Sequence, residues 1–157
     1  MKNIFLIFCI FFISCSENIS DATYSYSEEQ NLFLESIGWA GFEPSFIKTT
    51  SLTKDLHVIF GYGGNILVSI GKDGTLIVDS QFPDSSAVIL EKIKEFGGEK
   101  VDFVINTHFH FDHAEGNRAY GPMGADIYAH ENTFDYFKNG TYINLVSVGW
   151  PQQPYEE

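Results

Sequence analysis

The sequence predicts a layered α/β (α+β) fold, a mixed sheet with helices on one side. Three observations carry that expectation. Between residues 56 and 80, short β-rich apolar runs alternate with glycine-containing turns. An amphipathic stretch follows, in which Val88, Ile89, Ile93 and Phe96 recur at helical spacing. A further apolar run at 101–106 then leads straight into a segment dense in histidine. With 157 residues, 44% hydrophobic and including fifteen Phe and eight Tyr, the chain can build the core of one domain.

The first fifteen residues read as an export signal. Lys2 is a short positive start, and Ile4 to Ile13, "IFLIFCIFFI", is an almost unbroken apolar run. Such a run is too short to span a bilayer as a mature helix but fits the apolar core of a signal. "FISCS" follows and resembles a bacterial lipobox, with Ser14 before Cys15 and Phe12 where Leu is usual. Cleavage there would leave Cys15 to carry lipid and attach the protein to a membrane. Ordinary cleavage near Ser16 and an uncleaved anchor are the alternatives. Cys9 and Cys15 are the only cysteines, so a domain processed at Cys15 has no disulfide and no thiol ligand. The expected location is the periplasm or cell envelope. Residues 16–31, "SENISDATYSYSEEQN", are polar without apolar period and read as a tether, leaving 32–157 as the domain.

Within that domain, "LHVIFG" (56–61) is a strand and "GYGG" (61–64) a turn. "NILVSIG" (65–71) is a second strand, "KDGT" (72–75) holds the Asp-Gly of a tight hairpin, and "LIVDS" (76–80) is the returning strand. The helix after it is capped by Asp84, Ser85 or Ser86 and stopped by Gly97-Gly98. "VDFVIN" (101–106) is a buried strand. "ADIYAHENT" (125–133) is another, with Asn132 or Thr133 opening a helix through "FDYF".

"NTHFHFDHAEGN" (106–117) places three of the five histidines within six positions. In an extended chain, residues i and i+2 point the same way, so His108 and His110 can offer two imidazoles to one point while Phe109 and Phe111 turn to apolar surroundings. Asp112 and His113 follow where the chain can turn, and Gly116 allows backbone geometry that other residues resist. Zinc accepts this mixture of nitrogen and oxygen donors, as do iron and manganese. His57 reads as a half-exposed strand residue. His130 is the one histidine downstream of the segment.

"THFHFDH" resembles the H-x-H-x-D-H signature of the metallo-β-lactamase-fold hydrolases. "GYGGNILVSIGKDGTLIVDS" is similar to that superfamily's opening hairpin, with Gly63, Gly64, Asn65 and Asp79 closing a strand, and "GADIYAHENT" to the strand and helix start after the motif. The resemblance covers residues 55–137. It implies the N-terminal half of an αββα sandwich. It further implies that His108 and His110 bind one metal and that Asp112 and His113 help bind a second. Asp112 would also orient the nucleophile or handle its proton, and Asp79 would brace the loop by hydrogen bonds. The implied cofactor is one or two zinc ions, whose bound hydroxide attacks a carbonyl or phosphoryl centre.

The resemblance also implies ligands absent from this sequence: a third histidine for one site, and a bridging carboxylate and a further histidine for the other. "LVSVGWPQQPYEE" shows no capping element, and half a sandwich would leave an apolar sheet face uncovered. The chain is therefore expected to be the N-terminal portion of a longer hydrolase. A catalytically inactive or decayed metal-binding protein and a half-domain completed by a partner are the competing readings. The formal charge of −12 disfavours phosphate backbones, so nucleic acid is not expected as a partner. The resemblance implies a small-molecule substrate of the ester, thioester, lactam or lactone class without selecting among them.

Overall fold

A computed structural model describes residues 28–36, 38, 41–139 and 153–155. The export signal and most of the tether lie outside the described residues. Seven strands form one sheet in chain order: β1 (Lys48–Ser51), β2 (Leu56–Phe60), β3 (Ile66–Gly71), β4 (Gly74–Val78), β5 (Phe103–Asn106), β6 (Asp126–His130) and β7 (Gln153–Tyr155). The pairs from β1 to β4 are antiparallel and those from β4 to β7 parallel, so the sheet is mixed as expected. The predicted strands are all present. Two were not foreseen. β1 is a polar, fully exposed edge without apolar period, and β7 lies in the tail that had shown no closing element.

Strand alternation sorts the side chains. His57, Val68, Ile77, Val104 and Ile127 are opposite one another across β2 to β6 and are all buried. Ile89 and Ile93 of helix α2 (Ser86–Glu95, after α1, Glu28–Ser36) pack into the same core. The opposite face carries Val58, Leu67, Val78, Ile105 and Tyr128 in the neighbouring register row, each half-buried. Burying one full apolar row against α2 and half-burying the other is what β-branched runs such as "LIV" and "FVI" require when both faces are apolar.

Local chemistry explains the boundaries. The β3–β4 turn is made by Lys72 and Asp73, with Gly71 paired to Gly74, so the two turn residues are one position earlier than the Asp-Gly reading. Helix α2 starts after a 3-10 turn at Pro83–Ser85, and Ser85 spends its hydroxyl on the Phe82 carbonyl at 2.7 Å rather than on a cap. It ends in a paired closure: Gly98 N–H reaches Ile93 O at 2.9 Å and Gly97 N–H reaches Lys94 O at 3.0 Å, with Gly97 at φ +101. Two four-residue helices, α3 (Phe111–Ala114) and α4 (Asn117–Tyr120), occupy the region read as a loop. Helix α5 (Glu131–Asn139) opens at Glu131 rather than Asn132 or Thr133, because His130 Nδ1 accepts the Asn132 amide at 3.2 Å. Helix α1 takes in the end of the polar stretch read as tether. Among the described residues, no helix is long and apolar enough to cross a membrane.

His57 is a correction. It is 4% exposed rather than half-exposed, stacked on Phe96 at 4.0 Å with its Nδ1 2.8 Å from Ser51 Oγ.

Asp102 ties the end of the sheet remote from the histidines. Its Oδ2 accepts the Thr75 amide at 2.9 Å, and its own amide donates to Thr75 O at 2.9 Å. The Lys100 ammonium at 2.8 Å, and then the Thr75 amide, hold this carboxyl below the usual carboxylate range. A lowered folded pKa gives stability that is present above the unfolded value, about 4, and is lost as pH falls through the folded one. The Lys100 pair is exposed and worth little, so the amide bond dominates. Asp102→Asn keeps an acceptor for the Thr75 amide and removes only the charge, so it is expected to cost less than about 1 kcal/mol at pH 7 and nothing measurable near pH 2, as chemical denaturation at the two pH values would show.

Candidate metal centre

β5 ends at Asn106 and delivers the histidine segment at the C-terminal edge of the parallel strands. Residues 107–109 then bend, and His110 takes the N-cap position of α3. The two imidazoles still meet. His108 Nε2 lies 3.1 Å from His110 Nδ1, and the His108 and His113 ring centres are 4.2 Å apart. Two nitrogens bound to one tetrahedral zinc would be about 3.3 Å apart, so this pair is spaced to share an ion. Phe109 and Phe111 turn away, as their alternation predicts, and pack against Ala114, Ala129 and Phe137.

Asp79 organises the rest. The chain leaves β4 with Asp79 at φ +63 and Gln81 at φ +53, a sparsely populated backbone for residues with side chains. That turn buries the Asp79 carboxylate under the histidines. It accepts the Thr107 amide at 2.8 Å, the Thr107 hydroxyl at 2.8 Å, and His113 Nδ1–H at 2.8 Å. Holding the proton on Nδ1 leaves the lone pair of His113 on Nε2, which lies 3.5 Å from Asp112 Oδ2. Thr107 Oγ1, having given its proton to Asp79, accepts His108 Nδ1–H at 2.9 Å and leaves the His108 lone pair on Nε2 as well. Partial burial first, and then the nearby His113 and His110 rings, push the His108 pKa below the ordinary histidine value. His108 is therefore neutral at pH 7, the form that binds a metal.

A second set of buried groups holds the segment from behind. Ser80 N–H donates to His113 O at 2.7 Å, and Ser80 Oγ donates to Asn117 Oδ1 at 2.9 Å. Asn117 Nδ2 donates to Asn106 Oδ1 at 2.6 Å. All three side chains are fully buried. None of Ser80, Asn106, Thr107 or Asn117 had been singled out in the sequence. The "DS" closing a strand and the asparagines flanking the motif were the available signals.

From the other side, the β2–β3 turn presses glycine against both remaining donors. A Cβ on Gly64 would lie 2.5 Å from His113 Cε1, and one on Gly63 would lie 2.6 Å from Asp112 Oδ2. Gly116 has φ −59, an ordinary helical value, so its expected role in unusual backbone geometry is corrected. It is glycine because a Cβ there would run into the carbonyl of Ser80.

The structure thus brings together His108, His110, Asp112 and His113, with Asp79 bonded directly to His113 and through Thr107 to His108. Among the described residues, no three His, Cys, Asp or Glu side chains stand ready to hold an ion by themselves. The His108–His110 pair fits a metal, and completing its coordination takes donors beyond that pair.

Residues 59–121 match the family described as the metallo-beta-lactamase superfamily. A probable metallo-hydrolase of Methanocaldococcus jannaschii is 34% identical over 90 residues, which cover 57% of this chain and 43% of that protein. A metallo-beta-lactamase from Hirschia baltica superposes with a TM-score of 0.59 at 18% identity, covering 69% of this chain and 52% of that one. The metallo-beta-lactamase FIM-1 of Pseudomonas aeruginosa, in its mono-zinc form, does so with a TM-score of 0.53 at 19% identity, covering 71% and 50%. At these identities the superpositions show the fold. The chain spans about half the length of the relatives it matches.

Proposed function

We propose, for a chain with the metallo-β-lactamase hydrolase fold and that superfamily's match over residues 59–121, a metal-dependent hydrolase. Its ion is zinc, and its substrate a small ester, thioester, lactam or lactone. The observation that carries this reading is the 3.1 Å approach of His108 Nε2 and His110 Nδ1 beside a His113 fixed by Asp79. His108 and His110 would hold one ion, and Asp112 and His113 would contribute to a second. A bound zinc would supply Lewis acidity and a water ionised near neutral pH. The chain's own residues would do the rest. Asp112 would orient the nucleophile and take a proton on its carboxylate. Asp79 and Thr107 would keep the imidazole lone pairs aimed outward, and Phe109 and Phe111 would keep water from the rear of the rings.

A catalytically inactive metal-binding protein is the second reading. It is favoured by the lack of three converging donors among the described residues. One experiment addresses both. The chain is titrated with Zn2+ and Co2+ and then assayed against chromogenic lactam, thioester and lactone substrates. Stoichiometric binding that is lost in His108→Ala, with turnover, supports the hydrolase. The same binding without turnover supports the second reading. Binding that is absent, or indifferent to His108→Ala, removes both.

A further inference from the structure

Gln81 is fully buried, sits in a left-handed backbone conformation, and hydrogen-bonds to glycines rather than to a histidine or Asp112. Its connections nevertheless enclose the site. Its side-chain Nε2 donates to Gly64 O at 2.6 Å. Its carbonyl accepts the Gly116 amide at 2.6 Å. Gly64 is the residue whose backbone lies against the His113 ring, and Gly116 closes the turn that follows His113. Gly61, on the same turn as Gly64, leaves the space that the Gln81 amide fills, since a Cβ there would lie 2.5 Å from Oε1 and 2.8 Å from Nε2.

We propose that Gln81 is a positioning residue for His113: it holds the Gly63–Gly64 turn on one side of the imidazole and the Gly116 turn on the other, and so fixes where the ring stands. The proposal rests on the metal-site reading for its consequence but not for its geometry. Two costs accompany this side chain. Its Oε1 is buried with no hydrogen-bond partner among the described residues, and glycine would suit its φ better. A side chain kept at both costs is expected to have a local task. The amide N–H aimed at Gly64 is that task, since it sets the height of the turn over the ring.

Gln81→Gly and Gln81→Met test this. Glycine relieves the backbone and removes the side-chain half of the clamp, leaving the carbonyl bond to Gly116, whereas methionine keeps the volume and removes only the N–H. The readout is the His113 imidazole resonances in metal-free chain, in particular the proton that Nδ1 gives to Asp79. Co2+ affinity is read alongside. In both variants the chain stays folded, the His113 proton exchanges faster and broadens, and Co2+ affinity falls by about tenfold or more. Wild-type His113 signals in both variants overturn the proposal. Loss of the fold in both also overturns it, by making Gln81 a residue of the core rather than of the site. If wild-type chain binds no Co2+, the metal reading fails by itself, and the His113 signals still decide the role of Gln81.

Discussion

Asp79→Ala is expected to weaken metal binding by about 10- to 100-fold, the range found when a group that orients a metal-binding histidine is removed. The carboxylate fixes His113 through Nδ1 and, through Thr107, the tautomer of His108. Without it both imidazoles can turn, and either nitrogen can carry the proton. The Thr107 amide and hydroxyl also lose their acceptor. Losing these hydrogen bonds to a buried, charged acceptor is expected to cost about 2 kcal/mol of stability. Asp79→Asn keeps an acceptor but not the charge, and should fall between. Zinc titration and denaturant unfolding of the three proteins check this. Asp79→Ala binding zinc as tightly as wild type would remove Asp79 from its bracing role.

The largest effect on folding is expected at Gly116. A methyl group there meets the Ser80 carbonyl, which is backbone and cannot rotate away. The close approach is tied on both sides. Gly116 N–H binds Gln81 O, and Ser80 N–H binds His113 O. Relief requires α4 or the 79–81 turn to move, and either movement breaks the buried Ser80–Asn117–Asn106 set. Gly116→Ala should therefore cost about 3 kcal/mol, the upper range of overpacking. Gly71→Ala is the control. A Cβ on Gly71 meets nothing within 4 Å, and its φ is not in the left-handed region, so its stability should stay within about 0.5 kcal/mol of wild type. Urea unfolding of both variants is the measurement, and a Gly116→Ala chain as stable as Gly71→Ala would show that the packing here yields.

What the sequence made legible follows from range. The β2–β3–β4 meander, α2 and β5 are marked by local period and local punctuation, and each is present within a few residues of its expected bounds. The histidine segment was legible because four donor-type side chains crowd a strand end. The expectation that His108 and His110 meet holds, although the chain bends between them where an extended path was assumed. β1 was not legible, because "KTTS" is exposed and polar and owes its form to pairing with β2. α3 and α4 are too short to carry a period. The bracing residues were hidden for a different reason. A serine or an asparagine in a sequence reads as surface, and Ser80, Asn106 and Asn117 are buried only because partners distant in sequence satisfy them. His57 was misjudged in the same way, since its aromatic partner Phe96 comes from the far end of α2.

The order of the strands has a kinetic meaning. Among the described residues, each strand of the sheet pairs with its neighbour in the chain, from β1 through β7. The antiparallel pairs from β1 to β4 are joined by short turns, so their loop-closure entropy stays small, whereas the parallel pairs wait for longer crossovers, as from Leu76 to Phe103. The bonds from Asp79 and Ser80 to His113 bridge more than thirty positions. They can close only after β5 has docked and the chain has turned beyond it. The histidine segment can thus be fixed only once β4 and β5 are paired, on a frame laid down by the hairpins before it.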